Sequence, residues 1–373
     1  MRLIDSGALD VDNVEALADR LGVGPRHLRR LFDQHLGASP QSVAVTRRLL
    51  FAKSLLTETS LALAQIAIAS GFRSERRFRE AFSAAYGRSP SACRRATSNP
   101  QAGIRLTLGY RPPYDWDGLL AFLAKRALPG VETVDADSYE RRFRLGDAQG
   151  RFRVRHDPYR HSMDVALDCA DLRALPQVVD RIRSMFDLTA DPSAIARGLC
   201  ADPRLAELID RNPGLRIPGV WDPFEAAVRA VLGQQISVEG AVKQTAKLAS
   251  LCNPDGYFPT PREVLDADLE ALGGPAARRN TLRALAQAFV AGAIRAESDF
   301  DQTRAALEAI PGIGPWTAHY VSMRALGDPD AFPASDLILR RAWGGAARDL
   351  ASAAEAWRPW RAYAAIHLWR TQS

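Results

Sequence analysis

Two glycines separated by one residue stand near the C-terminal end of the chain, where helical apolar spacing breaks at Pro311-Gly312-Ile313-Gly314. Glycine lets the backbone turn tightly and meet a ligand with no side chain in between. Pro315 then occupies the first turn of a second helix, where its missing N–H costs little. The free amides at that N-terminus, together with the helix dipole, favour an anion such as a phosphate. The alternative is an ordinary turn between two helices.

The composition bounds the kind of protein. The 373 residues are 47% hydrophobic, so the chain can bury substantial cores, and its length predicts two or three domains. No apolar run is long enough to span a membrane, and the N-terminus lacks a secretory pattern, so we expect a cytoplasmic protein. The cysteines are far apart, which favours reduced thiols over a zinc or iron–sulfur site: Cys93, Cys169, Cys200 and Cys252.

The excess positive charge lies entirely in the first quarter of the chain. Residues 1–96 carry 15 Lys and Arg against nine Asp and Glu, which accounts for the net charge of +6 of the whole sequence. Nearly all of these basic residues are arginines, whose planar guanidinium suits bidentate contacts with phosphate and guanine. The charge alone favours a polyanionic partner.

Two helix-turn-helix patterns occur in this basic quarter. Gly22-Val23-Gly24 separates the two helices of the first pattern, and Gly71-Phe72 separates those of the second. A longer helix from Pro40 to Leu56 is predicted between them. In this plan the second helix of each unit enters a DNA major groove. One such pattern is a weak signal, whereas two bridged by one long helix are much more specific.

The paired patterns, followed by Tyr86-Gly-Arg-Ser-Pro90, resemble the AraC-type DNA-binding domain. The resemblance implies that two recognition helices read successive major-groove segments of double-stranded DNA. The residues expected to face DNA are arginines of those helices: Arg26, Arg29, Arg30, Arg76, Arg77 and Arg79. For each of them the alternative is a solvated arginine on a helix surface.

The predicted secondary structure changes in the middle of the chain. Residues 97–103 contain no core-forming side chain and predict a linker. Alternating polar and apolar residues then predict strands near 104–108, 132–134, 139–145, 151–155 and 163–167. Helices are predicted at 116–126 and 174–186, which gives an antiparallel sheet with two helices. From about Asp191 onward the pattern predicts helices alone.

The stretch from 307 to 336 combines Pro-Gly-Ile-Gly, a Trp-Thr-Ala continuation and a downstream Asp336. It resembles the helix-hairpin-helix, Gly-Pro-Asp signature of DNA glycosylases, and within them the DNA-3-methyladenine glycosylase II (AlkA-type) branch, from about Gly103 to the end of the chain. We therefore predict a mostly α, multidomain fold: an AraC-type double helix-turn-helix at 1–96, a linker at 97–103, a small α/β domain at 104–190 and all-α helix-hairpin-helix domains at 191–373.

This resemblance implies hydrolysis of the N-glycosidic bond of alkylated purines after the base has flipped out of the duplex. Asp336 is the candidate acid, because a fixed carboxylate stabilises the positive charge that develops on the sugar. Its alternative role is to cap the helix that follows. Trp316, Tyr320 and Trp369 match the aromatic side chains of the family's base pocket, where ring faces attract a cationic base. Each of the three could instead be a core residue.

Two positions bear on the reaction. Trp316 stands where strand-cleaving glycosylases have a nucleophilic lysine, so the resemblance implies hydrolysis without lyase activity. Gln235, in Leu232-Gly-Gln-Gln-Ile-Ser237, aligns with the residue that wedges into the duplex. That residue is usually a leucine, and a polar wedge offers less apolar stacking. The alternative is a polar side chain in a surface loop.

The family also implies ligands for the hairpin backbone. The amides of Gly312, Ile313 and Gly314 would hold a DNA phosphate, and the carbonyls of Glu308, Ile310 and Ile313 would bind a monovalent cation, Na⁺ or K⁺. No other cofactor is expected, and zinc is not expected. We expect a monomer that binds double-stranded DNA and no membrane.

The combination of these two halves resembles the Ada alkylation-response regulators, in which a four-cysteine zinc domain that accepts methyl groups normally comes first. The sequence contains no such cysteine cluster, so it is either a fragment or a protein without that sensor. The alternative function is a transcriptional regulator whose glycosylase half is a catalytically weak or inactive DNA-binding scaffold.

Overall fold

The computed structural model describes residues 2–5, 8–59, 61–94, 104–294 and 299–372. The chain forms two compact units. One comprises Met1–Thr107, Leu145–Phe152 and Asp164–Arg181, and the other comprises Leu108–Arg144, Arg153–Met163 and Ile182–Ser373. The predicted linker at 97–103 lies outside the described residues. The predicted domain boundaries differ from this division and stay a prediction.

The N-terminal part of the first unit is helical and contains both helix-turn-helix patterns. Its helices are Arg2–Asp5, Ala8–Val11, Val14–Arg20, Pro25–Leu36, Pro40–Glu58, Leu63–Ala69, Glu75–Tyr86 and Pro90–Cys93. The long helix predicted to bridge the two patterns is Pro40–Glu58, which buries Leu49, Ala52 and Leu55.

The two recognition helices repeat one local design. Pro25–Leu36 and Glu75–Tyr86 both have 12 residues, and each ends at a glycine in the left-handed conformation, Gly37 (φ 63°) and Gly87 (φ 65°). A Ser-Pro pair that starts another helix follows each glycine. Glycine adopts this conformation without a steric penalty, so each helix stops at a fixed point.

Five strands form an antiparallel sheet with the order β1-β5-β4-β3-β2. They are β1 (Ile104–Gly109), β2 (Glu132–Val134), β3 (Ser138–Leu145), β4 (Ala148–Asp157) and β5 (Ser162–Cys169). The register pairs Glu132 on β2 with Arg141 on β3. The helices Trp116–Ala124 and Leu175–Met185, and a 3₁₀ turn at Leu172–Ala174, occur with this sheet. The predicted strands and helices are confirmed, with ends that differ by a few residues.

Beyond the sheet, helices alone follow in the part of the chain that the structure describes. They are Pro192–Leu199, Pro203–Arg211, Pro223–Leu232, Val238–Cys252, Pro261–Asp266, Ala276–Val290, Phe300–Glu308, Pro315–Ala325, Leu337–Trp343, Ala347–Ala354 and Arg361–Arg370, with 3₁₀ turns at Leu269–Leu272 and Glu355–Trp357. Across the described residues, no helix is both long and apolar enough to cross a membrane. All four cysteines are free thiols.

One helix joins two hydrophobic cores within this helical region. Ala318 and Val321, on the helix Pro315–Ala325, belong to a core with Leu307 of the preceding helix. Met323, on the same helix, belongs to a second core with Leu339 and others. The hairpin helix therefore packs against both cores, which fixes its position within the helical region.

Candidate active site

The hairpin between Phe300–Glu308 and Pro315–Ala325 is fixed by side chains from two other segments. Gly312 has φ 89°, and a Cβ atom at this position would collide with the Thr281 hydroxyl. That hydroxyl donates to the Pro311 carbonyl at 2.9 Å. The side-chain amide of Gln234 donates to the Gly312 carbonyl at 3.1 Å. Only glycine fits at position 312, for both conformational and steric reasons.

The hairpin amides differ from one another in their availability. The Ile313 amide donates to the Ile310 carbonyl at 3.0 Å and so closes the turn. In the absence of DNA this amide therefore serves the turn, and its role as a phosphate donor stays a prediction. Gly312 and Gly314 stay predicted donors. The cation site at the carbonyls of Glu308, Ile310 and Ile313 also stays a prediction.

Asp336 lies immediately before the helix Leu337–Trp343, and its carboxylate accepts three hydrogen bonds from uncharged donors. The Leu339 amide donates to Oδ1 at 2.9 Å, which caps the helix. The indole Nε1 of Trp369 donates to the same oxygen at 3.0 Å. The indole Nε1 of Trp316 donates to Oδ2 at 2.7 Å. Asp336 is therefore a helix cap and also a carboxylate held by two aromatic side chains, and its catalytic role stays a prediction.

The predicted aromatic residues lie together beside this carboxylate. The rings of Trp316 and Tyr320 stack at a centroid distance of 5.2 Å and an interplanar angle of 15°. The ring centroid of Trp369 lies 6.4 Å from that of Tyr320. These three residues and Asp336 line one cleft with a volume of about 640 Å³. The structure thus brings together all four residues predicted for the reaction and its base pocket.

Sequence reasoning missed part of this cleft. Phe122 and Arg126, at the end of the helix Trp116–Ala124 and just after it, line the cleft together with Arg324. Burial by itself would raise the pKa of Tyr320, but the positive charges of Arg324 and Arg126 hold that pKa below its ordinary value. The spacing of Phe122 and Arg126 places them on one helical face, but the sequence does not indicate which segment that face meets.

A buried network of charges lies next to the cleft. Arg141 donates to Glu132 at 3.2 Å and to Glu225, and the Arg229 Nε donates to Glu225 at 2.8 Å. The hydroxyl of Tyr139 donates to Glu132 at 2.6 Å. Burial would raise the pKa of Glu132, but attraction to Arg229 and Arg141 lowers it to about 2. The arginines neutralise these carboxylates, and the ion pairs connect β2 and β3 with the helix Pro223–Leu232.

The loop that carries the predicted wedge is anchored beside the hairpin. Gln234 donates to the Gly312 carbonyl and, at 3.3 Å, to the Thr317 hydroxyl. Gln235 has φ 59°, a conformation that few residues other than glycine adopt, and its side chain is exposed. Ile236 and Val238 line the cleft and are 40% and 43% exposed. The wedge role of Gln235 stays a prediction, and two apolar residues next to it went unnoticed in the sequence.

The six arginines predicted to face DNA are all exposed on the two recognition helices. Arg29 pairs with Glu15 at 2.6 Å. Within the second helix, Arg76 pairs with Glu80 at 2.9 Å and Arg79 with Glu75 at 2.6 Å. Exposed pairs of this kind contribute little to stability and break readily when a phosphate approaches. Their roles in DNA binding stay predictions.

Three family models match consecutive parts of the chain. A helix-turn-helix domain matches residues 17–96, the AlkA N-terminal domain matches residues 105–222, and the HhH-GPD superfamily base excision DNA repair protein matches residues 228–353. The last of these includes the hairpin, Trp316, Tyr320 and Asp336.

Similar proteins cover the whole chain. A probable bifunctional transcriptional activator/DNA repair enzyme AlkA from Mycobacterium tuberculosis is 37% identical over all of this chain and 79% of its own length. The DNA-3-methyladenine glycosylase 2 of Escherichia coli is 36% identical over 71% of this chain and 97% of its own length. A 3-methyladenine DNA-glycosylase from Archaeoglobus fulgidus shares the fold, with a TM-score of 0.62 and 22% identity over 71% of this chain and 97% of that one. The chain belongs to the AlkA family of the HhH-GPD superfamily and has a helix-turn-helix domain of the AraC type at its N-terminal end.

Proposed function

We propose that this protein is a DNA-3-methyladenine glycosylase that hydrolyses the N-glycosidic bond of alkylated purines in double-stranded DNA, and that its helix-turn-helix domain binds DNA as a transcriptional regulator. The observation that carries the enzymatic part is the carboxylate of Asp336, which two indole N–H groups hold in an aromatic cleft beside the hairpin. The name of the Mycobacterium tuberculosis relative, which combines both activities, supports the regulatory part.

The reaction follows from the charges in the cleft. The damaged nucleotide leaves the base stack, and its base enters the cleft between aromatic faces that attract a cationic ring. As the C1′–N bond breaks, its electron pair goes to the base and positive charge develops on the sugar. Asp336 stabilises that charge, and water then adds to C1′ and loses a proton. An alkylated purine that enters as a cation leaves as a neutral molecule.

The fixed geometry of Asp336 supports this role. In the described part of the chain no basic side chain forms an ion pair with its carboxylate. Its three donors are neutral, so they orient the carboxylate while leaving its negative charge in place. An arginine partner would cancel that charge.

We further propose that the enzyme is monofunctional. Trp316 occupies the position at which a lysine would form a Schiff base with C1′, and its indole instead donates to Asp336. Borohydride reduction during turnover tests this proposal. We expect no covalent protein–DNA adduct, whereas a trapped adduct would contradict it.

DNA binding is assigned to three surfaces in this proposal. The amides of Gly312 and Gly314 hold a backbone phosphate, the loop at Gln235 fills the space that the flipped base leaves, and the arginines of the recognition helices bind a separate duplex segment. The chain acts as a monomer in this scheme.

The deciding experiment compares the protein with its Asp336→Asn variant on methylated duplex DNA. We expect the parent to release 3-methyladenine and the variant to release little, while both bind a duplex with an abasic-site analogue equally. Asparagine caps helices as well as aspartate does, so the variant should fold. If the parent binds DNA but releases no methylated base, the regulatory alternative, with an inactive scaffold, replaces the enzymatic proposal.

A further inference from the structure

The wedge loop, residues 233–237, is held only weakly by its own backbone. Its two backbone hydrogen bonds from the amides of Gln234 and Ile236 have N···O distances of 3.4 and 3.5 Å, which is long for such bonds. Gln235 has φ 59°, a conformation that strains a residue with a side chain. Contacts with other segments are therefore needed to keep the loop in this conformation.

Arg278 and the side chain of Gln234 supply these contacts. The Nη2 atom of Arg278 donates to the Gln234 carbonyl at 2.8 Å. The side-chain amide of Gln234 donates to the Gly312 carbonyl at 3.1 Å and to the Thr317 hydroxyl at 3.3 Å. Among the described residues Arg278 forms no ion pair, so no carboxylate competes for its guanidinium. The bonds form a continuous path from Arg278 through the wedge loop to the hairpin.

The helix that carries Arg278 also contacts the hairpin directly. Arg278 and Thr281 are three residues apart on the helix Ala276–Val290 and so lie on one of its faces. The Thr281 hydroxyl donates to the Pro311 carbonyl of the hairpin at 2.9 Å. One helix face therefore holds the wedge loop and the hairpin at a fixed separation.

The three helices around these bonds are placed by apolar contacts. Leu232, Leu282 and Ala318, one from each helix, belong to the same hydrophobic core. Burial of such residues is the main source of stability, whereas Arg278 and Gln234 are only partly buried. Loss of the polar bonds should therefore release the wedge loop and leave the helices in place.

Base flipping gives the fixed separation a function. Flipping breaks the stacking and pairing of the damaged nucleotide, and contacts made elsewhere with the DNA have to offset that cost. The hairpin is the predicted phosphate site, and Gln235 is predicted to fill the space that the base leaves. A loop that moved independently of the hairpin would have to be ordered at each flip, which weakens the contact it makes.

We propose that Arg278 and Gln234 are positioning residues for base flipping, which brace the wedge loop against the phosphate-binding hairpin. Neither residue lines the cleft that contains Asp336, so both act before the C1′–N bond breaks. The brace lets phosphate binding at the hairpin stabilise the flipped nucleotide through Gln235. This inference rests on the proposed glycosylase activity and assigns residues to the step that precedes the chemistry.

The test measures single-turnover release of 7-methylguanine, with saturating enzyme, from two duplexes that share the lesion strand. The lesion is opposite cytosine in one duplex and opposite a mismatched adenine in the other, which lowers the cost of flipping. The variants are Arg278→Met, Gln234→Ala and the double variant. Arg283→Met, at an exposed arginine of the same helix, is the matched control. The ratio of the two rates is the readout, because a general structural defect lowers both rates together.

We expect each single variant to release base about tenfold more slowly from the cytosine duplex and within about twofold of the parent from the mismatched duplex, since flipping is the step that loses a hydrogen bond. The double variant should be about as slow as either single variant, because both bonds belong to one path. Arg283→Met should match the parent on both duplexes.

Unchanged rates, an equal loss on both duplexes, or single effects that multiply in the double variant overturn the brace and leave the glycosylase activity intact. An Arg283→Met variant that behaves like Arg278→Met does the same. A parent that is no faster on the mismatched duplex also overturns the brace, since flipping then does not limit release. A parent that releases no base from either duplex overturns both the brace and the proposed activity.

Discussion

Two kinds of carboxylate line the same cleft, and they differ in the charge of their partners. Asp336 accepts hydrogen bonds from two indoles and one backbone amide, all of them neutral. Glu225 is fully buried and is held by the guanidinium groups of Arg141 and Arg229. Neutral donors orient a carboxylate and leave its charge available, whereas arginines orient it and cancel the charge. The difference indicates which carboxylate can act on a developing cation and which one connects elements of the fold.

Removing the negative charge of Glu225, which Arg141 and Arg229 neutralise, should produce the largest effect on stability. Glu225→Gln leaves Arg141 and Arg229 with Glu132 as their remaining carboxylate. We expect a loss of about 3–5 kcal/mol in the free energy of unfolding, measured by urea denaturation. Glu207→Gln, at an exposed pair with Arg211, is the control and should cost less than about 1 kcal/mol. Equal losses in the two variants would show that burial of the network has no special role.

Removing the negative charge of Asp336 should slow the reaction and leave the fold intact. For Asp336→Asn we expect base release to fall by about 100- to 1000-fold, which corresponds to about 3–4 kcal/mol of transition-state stabilisation. The free energy of unfolding should fall by no more than about 1–3 kcal/mol, because asparagine retains the helix cap and loses the acceptor for only one indole. Single-turnover release and urea denaturation on the same preparation test both parts. A variant that loses stability and activity together would make Asp336 a structural residue like Glu225.

His367 offers a third case, a buried group whose neutral form is favoured. It lies on the helix that carries Trp369 and is 5% exposed, and burial lowers its pKa to about 4. Because the folded pKa lies below the unfolded value of about 6.5, stability is present above that pH and is lost as the pH falls. We expect a loss of up to about 2 kcal/mol between pH 6.5 and pH 5. His367→Leu should flatten this part of the pH profile, and an unchanged profile would contradict the assignment.

The neutral donors at Asp336 can be removed one at a time. Trp316→Phe and Trp369→Phe keep an aromatic ring in the cleft and delete one N–H each. We expect each variant to release base about tenfold more slowly, since one hydrogen bond to a charged acceptor contributes about 1.5 kcal/mol. Trp360→Phe, on a tryptophan that does not line this cleft, is the control. If both variants match the control, the indoles serve only as ring surfaces.

The smallest effects are expected on the recognition helices. Arg26→Ala and Arg77→Ala each remove one exposed positive charge and should weaken duplex binding severalfold. In each variant the slope of the logarithm of the binding constant against the logarithm of the salt concentration should become shallower by about one. Glu15→Gln, which frees Arg29 from its ion pair, should leave binding unchanged or stronger. Binding that does not respond to any of these changes would remove the recognition helices from the interface.

Local sequence signals were enough to predict the backbone conformation of several parts of this molecule. The glycine hairpin, the Ser-Pro pairs after Gly37 and Gly87, and the alternation of the strands each depend on neighbouring residues, so their backbone conformations follow from propensity and sterics. Asp336, Trp316 and Tyr320 lie close enough in sequence to be recognised as one motif. Trp369 was identified through the family's pattern, and the structure places its indole on the same carboxylate.

Other features required the tertiary structure because they depend on segments that are far apart in the chain. The pairing of Glu132 with Arg141 follows from strand register, and its closure by Glu225 and Arg229 follows from where one helix packs. The approach of Arg126 to Arg324 has the same origin. The sequence by itself determined which residues could serve the reaction. The tertiary structure decided which charges stay uncompensated, because compensation depends on distances across the fold and not on spacing along the chain.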